Sequence, residues 1–410
     1  MELIPAFILI FALYVLSSKI SGSYINGLSY ITATMLVVIL FSTIYLLTNG
    51  YSQGPYIITR SSLATVDLFY VVSYFSIFLG YISGWSRPLR INIKFSPKKK
   101  NIYLFLLISF LMITGYILFV FNDFGMEIIT NSRKIYTQTR LGFGHLYFSS
   151  MFLITVSLIT VLFQGGPVKI LFIILGFIYA YLSGAKSILV SFIYIFFFYY
   201  LFRKGLRVNF LKLLALVLAG FVLLIGVFYI FSPLARGHIF EFMVNYSDQI
   251  RNFAVEIGNL NTVQRGKLWF EDNFYAFIPR AFFPNKPELF GTFKLSYRFY
   301  PDWTMKFSGA PSFGPFGTLF ADFGYISVYL ITVIFFIKGY LVGMFEKRVR
   351  AEGGMDMLNF FMFILLSFGY FLNVGISALS LFLLNIVLVI LILYAYSIRL
   401  NFRGDRIDAA

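Results

Sequence analysis

Basic side chains crowd one stretch of this chain. Residues 232–315 carry Arg236, Arg251, Arg265, Lys267, Arg280, Lys286, Lys294, Arg298 and Lys306. More cations fall in 122–145, as Arg133, Lys134 and Arg140 beside His145, and Lys186 sits in the short run Ser183-Gly-Ala-Lys-Ser187. Arg offers a rigid fork matched to phosphate oxygens, and Lys a mobile point charge. Converging on one pocket, they would stabilise the charge that develops on a departing diphosphate. Lys186 has a particular need: a cation in so short an apolar turn requires an anionic partner or room to snorkel. Any proton transfer in such a pocket would need an acid or base within hydrogen-bond reach. The candidates are Asp322, Glu271, Asp272, His238 and His145. Each has an ordinary alternative. Asp322 could be an acid at a helix start, favoured by the dipole; Glu271 and Asp272 could be solvated loop acids, and the histidines structural. Phe282, Phe283, Tyr297, Tyr300 and Trp303 suit stacking on sugar rings or the core of a small loop domain equally well.

Other chemistries lack their usual residues. The chain has no GxxxxGK[ST], no GxGxxG opening a helix, no HExxH and no Asp-x-Asp. Nucleotide hydrolysis, dinucleotide binding, zinc hydrolysis and metal-held nucleotide-sugar chemistry lose their normal support. With no cysteine, disulfides and thiolate catalysis are excluded. Neither a metal nor a cofactor is expected. An ion-coupled transporter needs polar or charged groups near the midplane, and the apolar runs look nearly free of them.

The elements that must position these residues are membrane helices. Charged residues make up 12% of the chain and hydrophobic ones 59%, against about 25% charged in soluble domains. Apolar runs predict spans near 3–17, 29–47, 65–84, 102–121, 145–163, 168–183, 187–201, 210–231, 316–341, 357–374 and 378–398. Residues 85–101 and 202–212 are basic and free of acids, the positive-inside signature. That topology, rather than nucleic-acid binding, accounts for most of the net charge of +16. Alternation then places 122–144 and 232–315 outside, and the basic segment 342–356 and the tail inside. The amino-terminal run lacks a basic start and is not read as a cleaved signal.

The predicted fold is an all-α polytopic membrane protein of about eleven spans, with one large, partly helical external loop. Three parts follow: a bundle over 1–231, the loop over 232–315, and a second bundle with a cytoplasmic tail over 316–410. Within the loop, Ile239, Met243, Tyr246, Ile250, Phe253 and Ile257 recur at spacings of three and four, which predicts an amphipathic helix with Glu241, Asp248, Arg251 and Glu256 on its other faces.

Several motifs resemble the Wzy-type O-antigen or oligosaccharide repeat-unit polymerases. Ile278-Pro-Arg-Ala-Phe-Phe-Pro-Asn-Lys-Pro287 is similar to the family's external "Pro-Arg … Pro-x-Lys-Pro" segment. Ala321-Asp-Phe-Gly324, after a loop ending Ser308-Gly-Ala-Pro-Ser312, resembles its "nFG" span start. Lys186 stands where members often have Arg in a Gly-Ser-Arg turn. An Arg-x10-Gly spacing occurs at Arg133…Gly144 and Arg280…Gly291.

The resemblance implies a GT-C-like glycosyltransferase in the bacterial inner membrane, with its loop in the periplasm. It would move a growing glycan from undecaprenyl diphosphate to the terminal hydroxyl of the next lipid-linked repeat, with inversion and without metal, in lipopolysaccharide biosynthesis. On this reading Arg280, Arg298, Arg265, Lys186, Arg133, Arg140 and Lys286 bind diphosphate. Arg280, Asp322, Glu271, Asp272 and His238 are the catalytic candidates. Expected partners are the lipid-linked glycan, membrane lipid, a chain-length regulator and a repeat-unit flippase. Competing readings are an O-antigen ligase, for which Ser308–Gly324 lacks the expected His, a flippase for the lipid-linked repeat, and a non-catalytic assembly subunit.

Overall fold

A computed structural model describes residues 2–89, 92–94, 98–130, 144–183, 186–231, 237–275, 283–302, 311–314, 316–351, 355–368 and 399–401. The apolar runs become helices close to their expected places. These are α1 (Ile4–Ser21), α2 (Ser29–Asn49), α3 (Arg60–Ser86), α4 (Lys99–Phe124), the single turn α5 (Glu127–Thr130), α6 (Gly144–Gln164), α7 (Val168–Leu182), α8 (Lys186–Arg203) and α9 (Phe210–Phe231). The loop holds α10 (Ile239–Tyr246), α11 (Gln249–Asn259), α12 (Lys267–Tyr275) and α13 (Gly291–Phe299). The chain returns through α14 (Gly317–Phe323), one 3-10 turn, α15 (Ser327–Arg350) and α16 (Met357–Ser367). The expected span 378–398 lies outside the described residues.

Local chemistry sets several ends. Gly22 closes α1 with φ 67, Thr59 caps α3 by accepting from the Ser62 N–H, and Asp356 caps α16 by accepting from Asn359. Among the described residues, five helical units are long and apolar enough to cross a bilayer: α1, α2, α3, α4 and the joined α14–α15. Apolar side chains are exposed around their outer faces, as at Leu107, Leu111 and Leu118 of α4. A helix hydrophobic on all sides belongs in lipid. The chain is a multi-pass membrane protein.

The closest helix pair is α3 with α15, and its cause is glycine. Gly80 and Gly84 on α3, and Gly339 and Gly343 on α15, form two small-xxx-small stripes. A methyl group added at Gly80 or Gly84 would overlap the carbonyl oxygen of Phe336 or Tyr340. At Gly339 or Gly343 it would overlap that of Ile77 or Tyr81. Backbones this close gain dispersion contacts that lipid cannot supply.

The bundle has two polar ends. At one, Tyr24 N–H donates to the Val208 carbonyl at 2.9 Å, Lys347 Nζ to that of Trp85 at 2.7 Å, and Arg350 to that of Ile25 at 2.7 Å. There the strand Asn92–Lys94 pairs antiparallel with Arg399–Asn401, so the tail meets the basic connection after α3. Glu346 is buried at this end, where it accepts from Tyr81 Oη at 2.8 Å and pairs with Arg350 at 2.8 Å. The opposite end carries the hairpin Ser52–Gln53/Tyr56–Ile57 and the large loop. Gln53 binds Arg251 there at 2.9 Å, and Ser42 donates to the Ser247 carbonyl at 3.1 Å.

The span interiors are nearly, but not wholly, free of charge: Lys338, in the middle of α15, is 4% exposed. Its aliphatic stem lets an apolar run hide it from a composition scan.

Candidate functional site

The predicted single helix over 239–257 is two helices, α10 and α11, which break at Ser247–Asp248. The break turns α11 onto the top of the bundle, where Phe253 packs edge-on to Phe69 of α3 and to Phe320 of α14 at 5.3 and 5.6 Å. Residues 250–256 of α11 are therefore buried on every face, and the polar Arg251, Asn252 and Glu256 do not point to water. Arg251 is buried, with its guanidinium 3.7 Å over the Tyr45 ring and donating to the Val244 and Asn245 carbonyls. This arginine is structural.

Glu256 lies on the same helix, and its carboxyl packs against Gly317 at the start of α14. Both of its oxygens are buried without a hydrogen-bond partner among the described residues. Burial pushes this carboxyl well above the usual carboxylate range, the nearby Arg298 opposes the shift, and Asp322 adds to it. Its place on an otherwise amphipathic helix disguised it as a solvated acid in sequence.

The acids proposed as bases form a relay of helix caps. Asp322, on α14, accepts from the Leu268 and Trp269 N–H groups at 3.0 and 2.6 Å and so caps α12. From α12, Glu271 accepts from Gly291 N–H at 3.0 Å, while Asp272 accepts from Thr292 N–H at 3.0 Å and from its Oγ1 at 2.7 Å. These bonds cap α13. Each carboxylate satisfies orphan donors and meets the positive end of a dipole. The relay corrects two of the ordinary alternatives: Asp322 caps a helix other than its own, and Glu271 and Asp272 are buried rather than solvated.

Two motif glycines now have physical reasons. Gly291, the last residue of the Arg280-x10-Gly291 spacing, has φ 51, and any Cβ there would collide with the Asp272 carboxylate. Gly324, which ends Ala321-Asp-Phe-Gly324, has φ 56 and separates α14 from α15. Beside it, Gln264 and Arg265 N–H groups donate to the Ala321 and Asp322 carbonyls, both at 2.8 Å. Arg265 has φ 53, the one positive φ outside glycine among the described residues. Left-handed backbone at a bulky residue costs on the order of 1–3 kcal/mol and tends to mark functional positions.

Around α12–α14 the acids lie inward, while Glu241, Glu288 and Asp302 elsewhere in the loop are exposed. Glu256, Glu271, Asp272 and Asp322 are 0–7% exposed, whereas Arg265, Lys267, Lys294 and Arg298 reach the surface. Lys294 keeps a 3.4 Å contact with Glu271, and Lys286 lies 4.9 Å over the Phe290 ring. His238 is exposed at the start of α10, 3.6 Å from Glu241, away from the relay. Arg133, Lys134, Arg140, Arg236, Arg280 and Lys306 lie outside the described residues. Lys186 begins α8, and His145 lies in the first turn of α6.

The relay is expected to make the loop respond to pH. Burial raises Asp272 to about 7, opposed by its bonds from Thr292, while an unfolded Asp titrates near about 4. Between these values the folded state holds more protons, so the α12–α13 junction is expected to tighten as pH falls from about 7 toward about 4. Asp248, raised to about 6 by burial, titrates elsewhere, so an Asp272→Asn comparison isolates the effect. Hydrogen exchange across α13, corrected for intrinsic rates, is expected to lose part of its pH slope in that variant. An unchanged slope would remove Asp272 as its source.

Comparison with known proteins gives one consistent answer. The O-antigen polymerases of Salmonella typhimurium (strain LT2) and Salmonella typhi each align at 27% identity over 355 residues, which is 86% of this chain and 85% of theirs. No family model and no solved structure matches. The likeness to Wzy-type polymerases first seen in short motifs thus extends across most of the chain.

Proposed function

We propose that this chain, a relative of the Wzy-type O-antigen polymerases, joins lipid-linked oligosaccharide repeats at the periplasmic face of the bacterial inner membrane. The donor is a growing glycan on undecaprenyl diphosphate, and the acceptor is the next lipid-linked repeat. The acceptor hydroxyl oxygen attacks the anomeric carbon, the bond from that carbon to diphosphate breaks, and its electron pair leaves with undecaprenyl diphosphate. The hydroxyl proton passes to a base. A single displacement without metal inverts the anomeric centre.

The placement of charge around α12–α14 supports this reading most directly. Four carboxylates are turned inward as caps or buried acid, while Arg265 and Lys267 beside Asp322, and Arg298 near Glu256, reach the surface. Exposed cations next to a membrane span suit a diphosphate whose tail lies in lipid. In this scheme Arg280, Arg298 and Arg265 neutralise the leaving group, with Lys186, Lys286, Arg133 and Arg140 completing the donor and acceptor sites. Asp322, Glu271 and Asp272 are proposed to hold the loop in shape, which leaves His238 and His145 to be tested as bases. A chain-length regulator and a flippase are the proposed partners in the membrane.

The reading is tested by mixing purified protein with lipid-linked repeats alone. A ladder of products is expected, and Arg280→Ala is expected to abolish it while still inserting. A product seen only after lipid A-core is added would mean a ligase. Translocation across liposomes without new bonds would mean a flippase.

A further inference from the structure

The helix α12 is built inside out. Leu268, Glu271 and Asp272 face the protein and are 3%, 7% and 1% exposed. The opposite face presents Trp269, Phe270 and Phe274, which are 37%, 56% and 39% exposed, with the last two rings stacked at 5.3 Å. Carboxylates inward and aromatics outward is the reverse of what water selects. It is what a membrane interface selects, where Trp and other aromatics settle at headgroup level.

The position of α12 agrees with that medium. Its first turn is pinned to Asp322 by the Leu268 and Trp269 N–H groups, and Val263 packs against Gly324. Both contacts lie at the loop end of the joined α14–α15 span, where Tyr325 and Ile326 of the 3-10 turn and Tyr329 of α15 are 63%, 66% and 75% exposed. Exposed apolar side chains therefore occur on both sides of this junction, with Val263, 46% exposed, beside Gly324 between them. Arg265 and Lys267, both exposed, flank that face where it meets the span.

We propose that α12 is an interfacial anchor, with its Trp269/Phe270/Phe274 face immersed in the leaflet that borders the large loop. The anchor sets Arg265 and Lys267 at the depth of lipid phosphate groups. The partner is the phospholipid interface itself. This rests on the chain spanning a membrane and not on the reaction it performs, so an inactive polymerase could still pass the test and an active one could fail it.

A protein with Trp269 as its sole tryptophan (Trp85→Phe, Trp303→Phe) is reconstituted into vesicles of phosphatidylethanolamine and phosphatidylglycerol. Bromine is carried on the acyl chains close to the headgroup, or is absent. Trp269 emission is expected to fall about twofold in the brominated vesicles, as for a side chain within about 5–10 Å of the acyl boundary. Equal emission in the two vesicles, or full quenching by aqueous iodide, would overturn the proposal. Because the double variant could misfold, the same comparison is made with the native chain and Trp269→Phe. The bromine-sensitive share of emission is expected to shrink in the variant, and no change would count against the anchor. Phe270→Asp with Phe274→Asp is expected to restore Trp269 emission in brominated lipid, and persistent quenching would show that this face does not hold the helix down.

Discussion

Gly84→Leu is expected to prevent folded protein from accumulating. The added side chain would begin inside the carbonyl of Tyr340, where Gly84 meets α15 backbone to backbone. Ordinary overpacking costs about 1–3 kcal/mol because neighbouring side chains can shift. Here the obstacle is main chain held in its own helix, so α3 and α15 must separate and their close contacts are lost together. The pair also carries Tyr81 and Glu346, whose hydrogen bond closes the opposite end of the bundle from the loop. A cost of several kcal/mol is a large part of a total stability of about 5–15 kcal/mol. Gly115→Leu on α4 is the matched control, since nothing lies within 4 Å of a Cβ there. Size-exclusion profiles of detergent-extracted protein would show a monodisperse peak for Gly115→Leu and little or none for Gly84→Leu. Equal recovery of the two would mean that the crossing does not hold the bundle.

The second large effect is expected at Asp322. Asp322→Ala leaves the Leu268 and Trp269 N–H groups without acceptors, one of them fully buried with its residue. Loss of a cap and exposure of unsatisfied donors together come to about 2–4 kcal/mol. That cost is concentrated where the loop joins the membrane span. Asp322→Asn retains one acceptor oxygen and no proton-accepting carboxylate. If Asp322 acts as a cap, the Asn variant keeps most polymer formation per inserted molecule. The Ala variant then loses polymer together with resistance of the loop to protease. Loss of polymer in the Asn variant with a protease-resistant loop would instead return Asp322 to the role of base.

Much of the membrane plan was legible in the chain. Runs such as 29–47 and 102–121 became α2 and α4 with ends moved by a few residues, because spanning helices must be apolar throughout and that leaves a strong linear signal. The Gly80/Gly84 and Gly339/Gly343 stripes gained their meaning only from the structure, because nothing local says that one meets the other. Lys338 was masked by the apolar residues around it. The loop was harder. Six apolar residues at helical spacing looked like one amphipathic helix, yet the break at Ser247–Asp248 gives two, and residues 250–256 of α11 are buried on every face. The period of a helix tells which residues share a face. It does not tell how many faces will be covered.

The acids mark the boundary between the two kinds of knowledge. Residue type alone placed Asp322, Glu271 and Asp272 among groups able to accept a proton, and composition with periodicity settled that the chain threads a membrane around a cation-rich loop. Only the tertiary structure decided that those three carboxylates face helix starts 20 to 54 residues away, that Glu256 is enclosed without a hydrogen-bond partner among the described residues, and that α12 turns its aromatics outward. Hydropathy is a property of each segment and can be summed along the chain. A cap, a buried charge or an inverted helix depends on which distant backbone or medium meets the side chain, and that is set when the bundle and the loop pack together.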